Sequence, residues 1–203
     1  MNTSRFSLTL ATLSLAFVAC GPVDTTGLSA TSSRTPAGNA DGFVTVMEYA
    51  DFQCPACKSA HELISKPLVE KYASNIRFEF KHFPLQGIHP YAMEAAQAAE
   101  CAADQGKFWE FVDINYKNQA NLNSSALRTW AAELKLDTAL FDRCLKSGIK
   151  KAVVDADYAQ GEALGVNSTP TYFVNGVKVP VNGLDTITAA IDEALKQQTS
   201  TPL

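Results

Sequence analysis

Cys54 and Cys57 enclose Pro55 and Ala56 directly after the apolar run from Val44 to Ala50, so a C-x-x-C motif sits where a strand hands over to a helix. Two sulfurs three residues apart on a first helical turn can reach each other and close a small disulfide. Unpaired amide N–H groups and the positive end of the helix dipole favour a thiolate at Cys54 there, and the thiolate is the attacking species in disulfide exchange. Pro55 suits the first helical position, which needs no amide hydrogen and takes a fixed φ. The chemistry indicated is that of a dithiol/disulfide redox pair. A structural zinc site is the competing use of C-x-x-C. It needs four convergent ligands, and the further candidates Cys101, Cys144, His61, His82 and His89 are scattered singly. Two inert buried thiols are a third reading, against which stand the polar neighbours Asp51, Gln53 and Lys58.

The elements that must position this pair follow from periodicity. Val44, Val46 and Tyr49 mark a buried strand, and a helix from Cys54 carries Ala60, Leu63, Ile64 and Leu68 on one side, with Pro67 expected to kink it near its middle. Ile76, Phe78 and Phe80 alternate with Arg77, Glu79 and Lys81 as a second strand. From Pro90 to about Gly165 the pattern is helical: an alanine-rich helix stopped by Gly106, then stripes at Phe108, Phe111 and Val112, at Leu127, Trp130 and Leu134, and at Leu140, Phe141 and Cys144. Trp109 and Trp130 are read as core residues of this block. Strand character returns from Thr171 to Val174 and from Val177 to Val179 around Asn175-Gly176, a hairpin signal, and a last helix runs from about Leu184 to Lys196.

The chain has 203 residues, 46% of them hydrophobic, and a net charge of −4. It can bury a real core, and without a basic run it offers little to nucleic acid or to an anionic membrane surface. The first twenty residues have the form of an export signal: Arg5, an apolar stretch from Leu8 to Val18 interrupted by hydroxyl residues, and small residues before Cys20. The run Phe17, Val18, Ala19, Cys20 resembles a bacterial lipobox, which implies a lipid on Cys20 as the membrane attachment; Phe17 departs from the usual leucine, and ordinary cleavage nearby is the alternative. Either route leads out of the cytoplasm, where thiols can become disulfides. Residues 21–42 are rich in Thr, Ser, Gly, Pro and Ala and read as a flexible tether with a reach of about 25 Å.

Three separated motifs then resemble the DsbA family of thiol:disulfide oxidoreductases, whose thioredoxin fold carries a helical insertion. They are Asp51-Phe52-Gln53-Cys54-Pro55-Ala56-Cys57, the stretch His89-Pro90-Tyr91-Ala92, and Gly165-Val166 through Thr169-Pro170 to Gly176. The resemblance implies an α/β fold with residues 43–89 and 166–198 as the thioredoxin-like core and 90–165 as the insertion. It makes Cys54 the nucleophile and Cys57 the buried resolving thiol. Pro170 matches the family's cis-proline, which presents the backbone of Thr169 to an extended substrate. Glu48, six residues before Cys54, falls where the family carries a buried acid that relays the Cys57 proton; a solvated strand residue is the alternative, and Lys81 is the guessed partner of Glu48. His61 and Lys58 share the dithiol helix as minor influences on the thiolate, His61 being expected at the surface, and His82 and His89 are expected to be structural.

The function expected is disulfide formation in other exported proteins of the periplasm or cell envelope, with reoxidation by a quinone-linked membrane partner and no cofactor or metal. Strong oxidases of the family hold histidine where this chain has Ala56, which leaves a reductase or isomerase role open. The polar tether is too short for the dimerisation region of dimeric isomerases, so a monomer is expected. With Cys20 assigned to the signal and Cys54 and Cys57 to catalysis, Cys101 and Cys144 remain as one even pair. They are expected to form a structural disulfide, two separately buried thiols being the alternative.

Overall fold

The computed structural model describes residues 23–199. A five-stranded sheet organises them, in the order β1-β3-β2-β4-β5, with β1 at Ala37–Gly38, β2 at Val44–Ala50, β3 at Ile76–His82, β4 at Thr171–Val174 and β5 at Val177–Val179. β2 and β3 run parallel, and the other neighbouring pairs are antiparallel. The β4–β5 hairpin turns at Asn175 and Gly176, both at positive φ, as the Asn-Gly dipeptide favours.

Register sorts the strand residues onto two faces. Val46, Phe78 and Val174 lie side by side on one, and Glu48, Phe80 and Tyr172 continue the same face. Against it pack the dithiol helix and the terminal helix α8 (Leu184–Thr199), through Ala60, Ile64, Leu68, Ile187 and Ile191. Tyr49 and Phe173 point the other way and meet Phe83 and Tyr158. Tyr158 belongs to α7 (Lys151–Ala163), which approaches so closely that a Cβ on its Gly161 would lie 2.8 Å from the Phe83 ring and 2.9 Å from that of Tyr49.

The dithiol helix is a composite of α1 (Pro55–Ala60), a π-helical turn (His61–Ser65) and α2 (Lys66–Lys71). The expected kink at Pro67 is replaced by this π turn just ahead of it, where the proline ring would crowd a regular ladder. Slipping the phase by one residue turns Leu63 out to 69% exposure, while Ala60, Ile64 and Leu68 stay buried; Leu63 therefore leaves the core face assigned to it.

The insertion contains α3 (Ala92–Ala103), α4 (Phe108–Lys117), α5 (Ser124–Glu133), α6 (Thr138–Ser147) and α7. Side chains of Asn123 and Asp137 cap α5 and α6 by accepting two amide hydrogens each. The alanines of α3 admit close neighbours, and Cys101 on α3 is joined to Cys144 on α6 by a disulfide, with Cα atoms 5.9 Å apart. Trp130 is buried, whereas Trp109 is half-buried at the edge and donates to the Thr35 carbonyl.

That last contact is one of several that hold the N-terminal segment against the body. The segment expected to be a free tether is fixed along the body over much of its length. Arg34 binds Glu100 of α3 and Asp157 of α7 at 2.8 and 2.9 Å, Lys150 reaches the Thr31 carbonyl at 2.7 Å, and β1 pairs with β3. Composition alone does not show this, because one buried arginine between two carboxylates and a two-residue strand hold a chain that lacks an apolar stripe. Cys20 and the export-signal residues lie outside the described residues. Among the described residues no helix is long and apolar enough to cross a membrane.

Candidate active site

The loop from β2 into α1 is fixed before the cysteines are reached. Asp51, buried at its centre, accepts hydrogen bonds from the Gln53 amide at 2.7 Å, the Leu85 amide at 2.8 Å and His89 Nδ1 at 2.7 Å. Gln53 in turn accepts from the Tyr91 amide, and Gln119, beyond the end of α4, donates to the carbonyls of Phe52 and Cys54, both at 2.9 Å. His89 is thus structural, as expected. The clamp by Gln119 carries no sequence signal, because it comes from a single 3₁₀ turn about 65 residues along the chain.

Cys54 occupies the cap position before α1 with extended backbone angles, Pro55 follows as the first helical residue, and Cys57 lies one turn in. Cys54 keeps 7% exposure and Cys57 none; both are free thiols. Their environments push them apart. A hydrogen bond from Cys57, opposed by burial and helped by Thr169 and the amides of Cys57 and Ala56, lowers the Cys54 pKa to about 5. Burial first, and then the neighbouring Cys54, pushes Cys57 well above its ordinary value. The pair thus couples a thiol disposed to ionise, at the edge of the buried interior, with a fully buried one held back from ionising.

Across from the helix start, the Thr169–Pro170 peptide bond is cis, and the Thr169 carbonyl lies 3.5 Å from Cys54 Sγ. The loop before β4 therefore stands directly against Cys54. Beside it a groove of about 490 Å³ is lined by Ala56, Leu63, Ile64, Pro170, Val181 and Leu184.

Glu48 is 1% exposed on the sheet face beneath α1, so it is not a solvated strand residue. Its Oε2 accepts from Ser65 Oγ at 2.8 Å, Ser65 Oγ lies 2.6 Å from the Tyr172 hydroxyl, and Oε1 has no hydrogen-bond partner among the described residues. Burial raises its pKa, against the opposing hydrogen bond of Ser65 and the charge of His61. Lys81 is not its partner. In the parallel register Glu48 faces Phe80, so Lys81 points to the opposite face, where it meets Glu79 and Asp157. His61 is buried rather than exposed, 2.7 Å from Asp113 and against the Tyr116 ring. His82 is buried against Glu100 at 2.9 Å. Among the described residues no group of three or more His, Cys, Asp or Glu side chains is arranged to hold a metal.

Residues 31–193 match the thioredoxin family model. The chain belongs to the thioredoxin family. Its layout, a thioredoxin core carrying an inserted block of helices, is that of the DsbA proteins within this family. A thioredoxin-like oxidoreductase from Silicibacter pomeroyi superposes with a TM-score of 0.69 and 29% identity, over 78% of this chain and 90% of that one. DsbA2 of Pseudomonas aeruginosa does so with a TM-score of 0.63 and 25% identity, over 84% and 97%. BdbD of Bacillus subtilis shares the fold with a TM-score of 0.72 at 22% identity, over 82% and 98%. Among curated proteins, 135 residues are 43% identical to a Na(+)/H(+) antiporter, NhaA 3, of Salinispora tropica. The match takes in 66% of this thioredoxin-family chain and only 20% of that protein, so the chain spans about a fifth of the length of such relatives.

Proposed function

We propose that this chain is an exported thiol:disulfide oxidoreductase that introduces disulfides into other exported proteins. The observation that carries the proposal is the asymmetry of the dithiol: Cys54, with its pKa lowered to about 5, faces the Thr169 carbonyl, while Cys57 is sealed behind it. A substrate thiolate attacks Cys54 Sγ of the oxidised pair, the Cys54–Cys57 bond breaks, and Cys57 leaves with the electron pair and takes up a proton. A second substrate thiolate then attacks the substrate sulfur of the mixed disulfide and expels the Cys54 thiolate. Glu48 is the group that exchanges the proton with Cys57. Thr169 and Pro170 align an extended substrate, and the apolar groove at Leu63 receives its side chains.

Stabilising the Cys54 thiolate stabilises the reduced form, and so makes the disulfide the stronger oxidant. This favours the oxidase direction over the reductase or isomerase role that Ala56 leaves open. Reoxidation falls to a quinone-linked membrane protein, and the protein acts as a monomer in the periplasm or cell envelope, held there by a lipid on Cys20. Ion transport is not carried over from the antiporters, most of whose length lies outside the match.

Equilibration of the domain with glutathione redox buffers tests the direction. The potential is expected nearer the value of about −120 mV typical of DsbA than the value of about −270 mV of thioredoxin. A value at the thioredoxin end overturns the oxidase assignment.

A further inference from the structure

Substrate bound at Cys54 and Pro170 covers the front of the dithiol, yet Cys57 must gain or lose a proton behind it in every cycle. A second groove, of about 260 Å³, opens on another side of the same helix. Its lining includes His61, Ser65, Lys66, Trp109 and Asp113. The substrate-side groove is lined by Ala56, Ala60 and Leu63 of that helix instead. Ser65 belongs to both the groove wall and the interior, because its hydroxyl donates to the buried Glu48 carboxylate.

We propose that Ser65, with the His61–Asp113 pair beside it, forms a side exit through which the Cys57 proton passes between Glu48 and solvent while substrate covers the front. The proposal rests on the reading of Glu48 as the proton acceptor of Cys57. It names the rest of the path.

During reoxidation the Cys54 thiolate attacks a partner disulfide, forming a Cys54–partner bond and releasing one partner thiolate. Cys57 gives its proton to the Glu48 carboxylate, and the resulting thiolate attacks Cys54 Sγ. The Cys54–Cys57 bond closes, the second partner thiolate leaves, and two electrons have passed to the partner. Protonated Glu48 hands its proton to Ser65 Oγ as Ser65 releases its own to water in the groove. The carboxylate is thereby restored. Tyr172, 2.6 Å from Ser65 Oγ, shares a hydrogen bond with that hydroxyl and keeps its oxygen in place beside Glu48 as the hydroxyl turns to release its proton. The groups facing Glu48 are Ser65 and His61 from the dithiol helix and Tyr172 from β4, and Tyr116 and Tyr172 feel both Glu48 and Cys57.

His61 is a positioning residue. Asp113 fixes it at 2.7 Å, Lys66 shares that carboxylate at 3.1 Å, and Glu70 completes the charges lining this groove. Its electrostatic influence lowers the Glu48 pKa, so removing it should move the working range of Glu48 to higher pH.

The test follows single-turnover release of glutathione from a Cys54–glutathione mixed disulfide by Cys57, across pH, in the full chain. Ser65→Ala is expected to slow release roughly tenfold near neutral pH, less than the hundredfold or more usual for losing the acid–base group itself, because water partly replaces the hydroxyl. Ser65→Thr should restore the rate, and His61→Gln should shift the release profile to higher pH. Alkylation of Cys54 in the reduced protein should be the same in Ser65→Ala as in wild type, which a merely damaged site would not give. Wild-type release rates in Ser65→Ala and an unshifted profile in His61→Gln overturn the exit; if Glu48→Gln still slows release, the role of Glu48 survives. Unchanged release in Glu48→Gln overturns both. Should Ser65→Ala fail to fold, the His61→Gln profile decides.

Discussion

A thiol is useful in exchange only if its neighbours hold it as a thiolate, and this chain does so with few groups. The thiol of Cys57, Thr169 and two helix-start amides act on Cys54, and no basic side chain is among these influences. Reaction of the reduced protein with iodoacetamide should therefore rise with pH around a midpoint near 5, about four units below the ordinary thiol value of 9.0. The same depression makes the reduced form gain stability relative to the unfolded chain as pH climbs from about 5 towards 9, and lose it on acidification through about 5. Denaturation of the reduced protein at several pH values reads that sign directly. Cys54→Ser should abolish exchange, whereas Cys57→Ser should still attack substrates and accumulate mixed disulfides on Cys54. Preferential alkylation of Cys57 in the reduced wild type would reverse the two roles.

At the scale of elements, two devices join the helical insertion to the sheet and to itself. Arg34 threads from the N-terminal segment between α3 and α7, where burial alone would raise the Glu100 pKa but His82 and Arg34 bring it down to about 2. Arg34→Ala removes from that buried carboxylate the guanidinium 2.8 Å away. A loss of about 3 kcal/mol in urea denaturation is expected, the low end for breaking a buried ion pair by removing one partner. A loss near zero would mean that the segment is merely lying on the surface. The Cys101–Cys144 bridge spans 43 residues of sequence, and its loop closure is worth on the order of 4 kcal/mol in the chain-entropy account. Replacing both cysteines by serine should lower stability by up to that amount while leaving the Cys54 alkylation midpoint in place, since the bridge joins α3 to α6 within the insertion.

On the scale of the whole molecule, the active face is assembled from segments far apart in the chain. The start of α1, the loop before β4 and the start of α8 converge on one groove, and Leu63 stands exposed among them. Leu63→Lys should weaken turnover of an unfolded thiol-bearing protein several-fold, through KM, and leave exchange with glutathione unchanged. Equal loss with both substrates would place Leu63 in the chemistry rather than in recognition. Stability should move little, because surface substitutions away from special features change it by no more than about 0.5 kcal/mol.

The sequence by itself determined what is local. C-x-x-C after an apolar strand, proline at the first helical position, Asn-Gly between short strands and the helical stripes of the insertion each depend on neighbours within a turn or two, and each is present in the structure. Cysteine parity extended this to the Cys101–Cys144 pair, because an even count constrains partners without any knowledge of distance. Tertiary structure decided what depends on register and phase. Glu48 meets Ser65 and Tyr172 rather than Lys81 because the parallel pairing of β2 with β3 puts Lys81 on the other face. Leu63 points outward because one π turn slips the helix by a residue, and the segment before β2 is docked because a single arginine finds two buried carboxylates. A one-residue change of phase or a long-range ion pair leaves no periodic trace in the chain, so only the folded molecule reveals them.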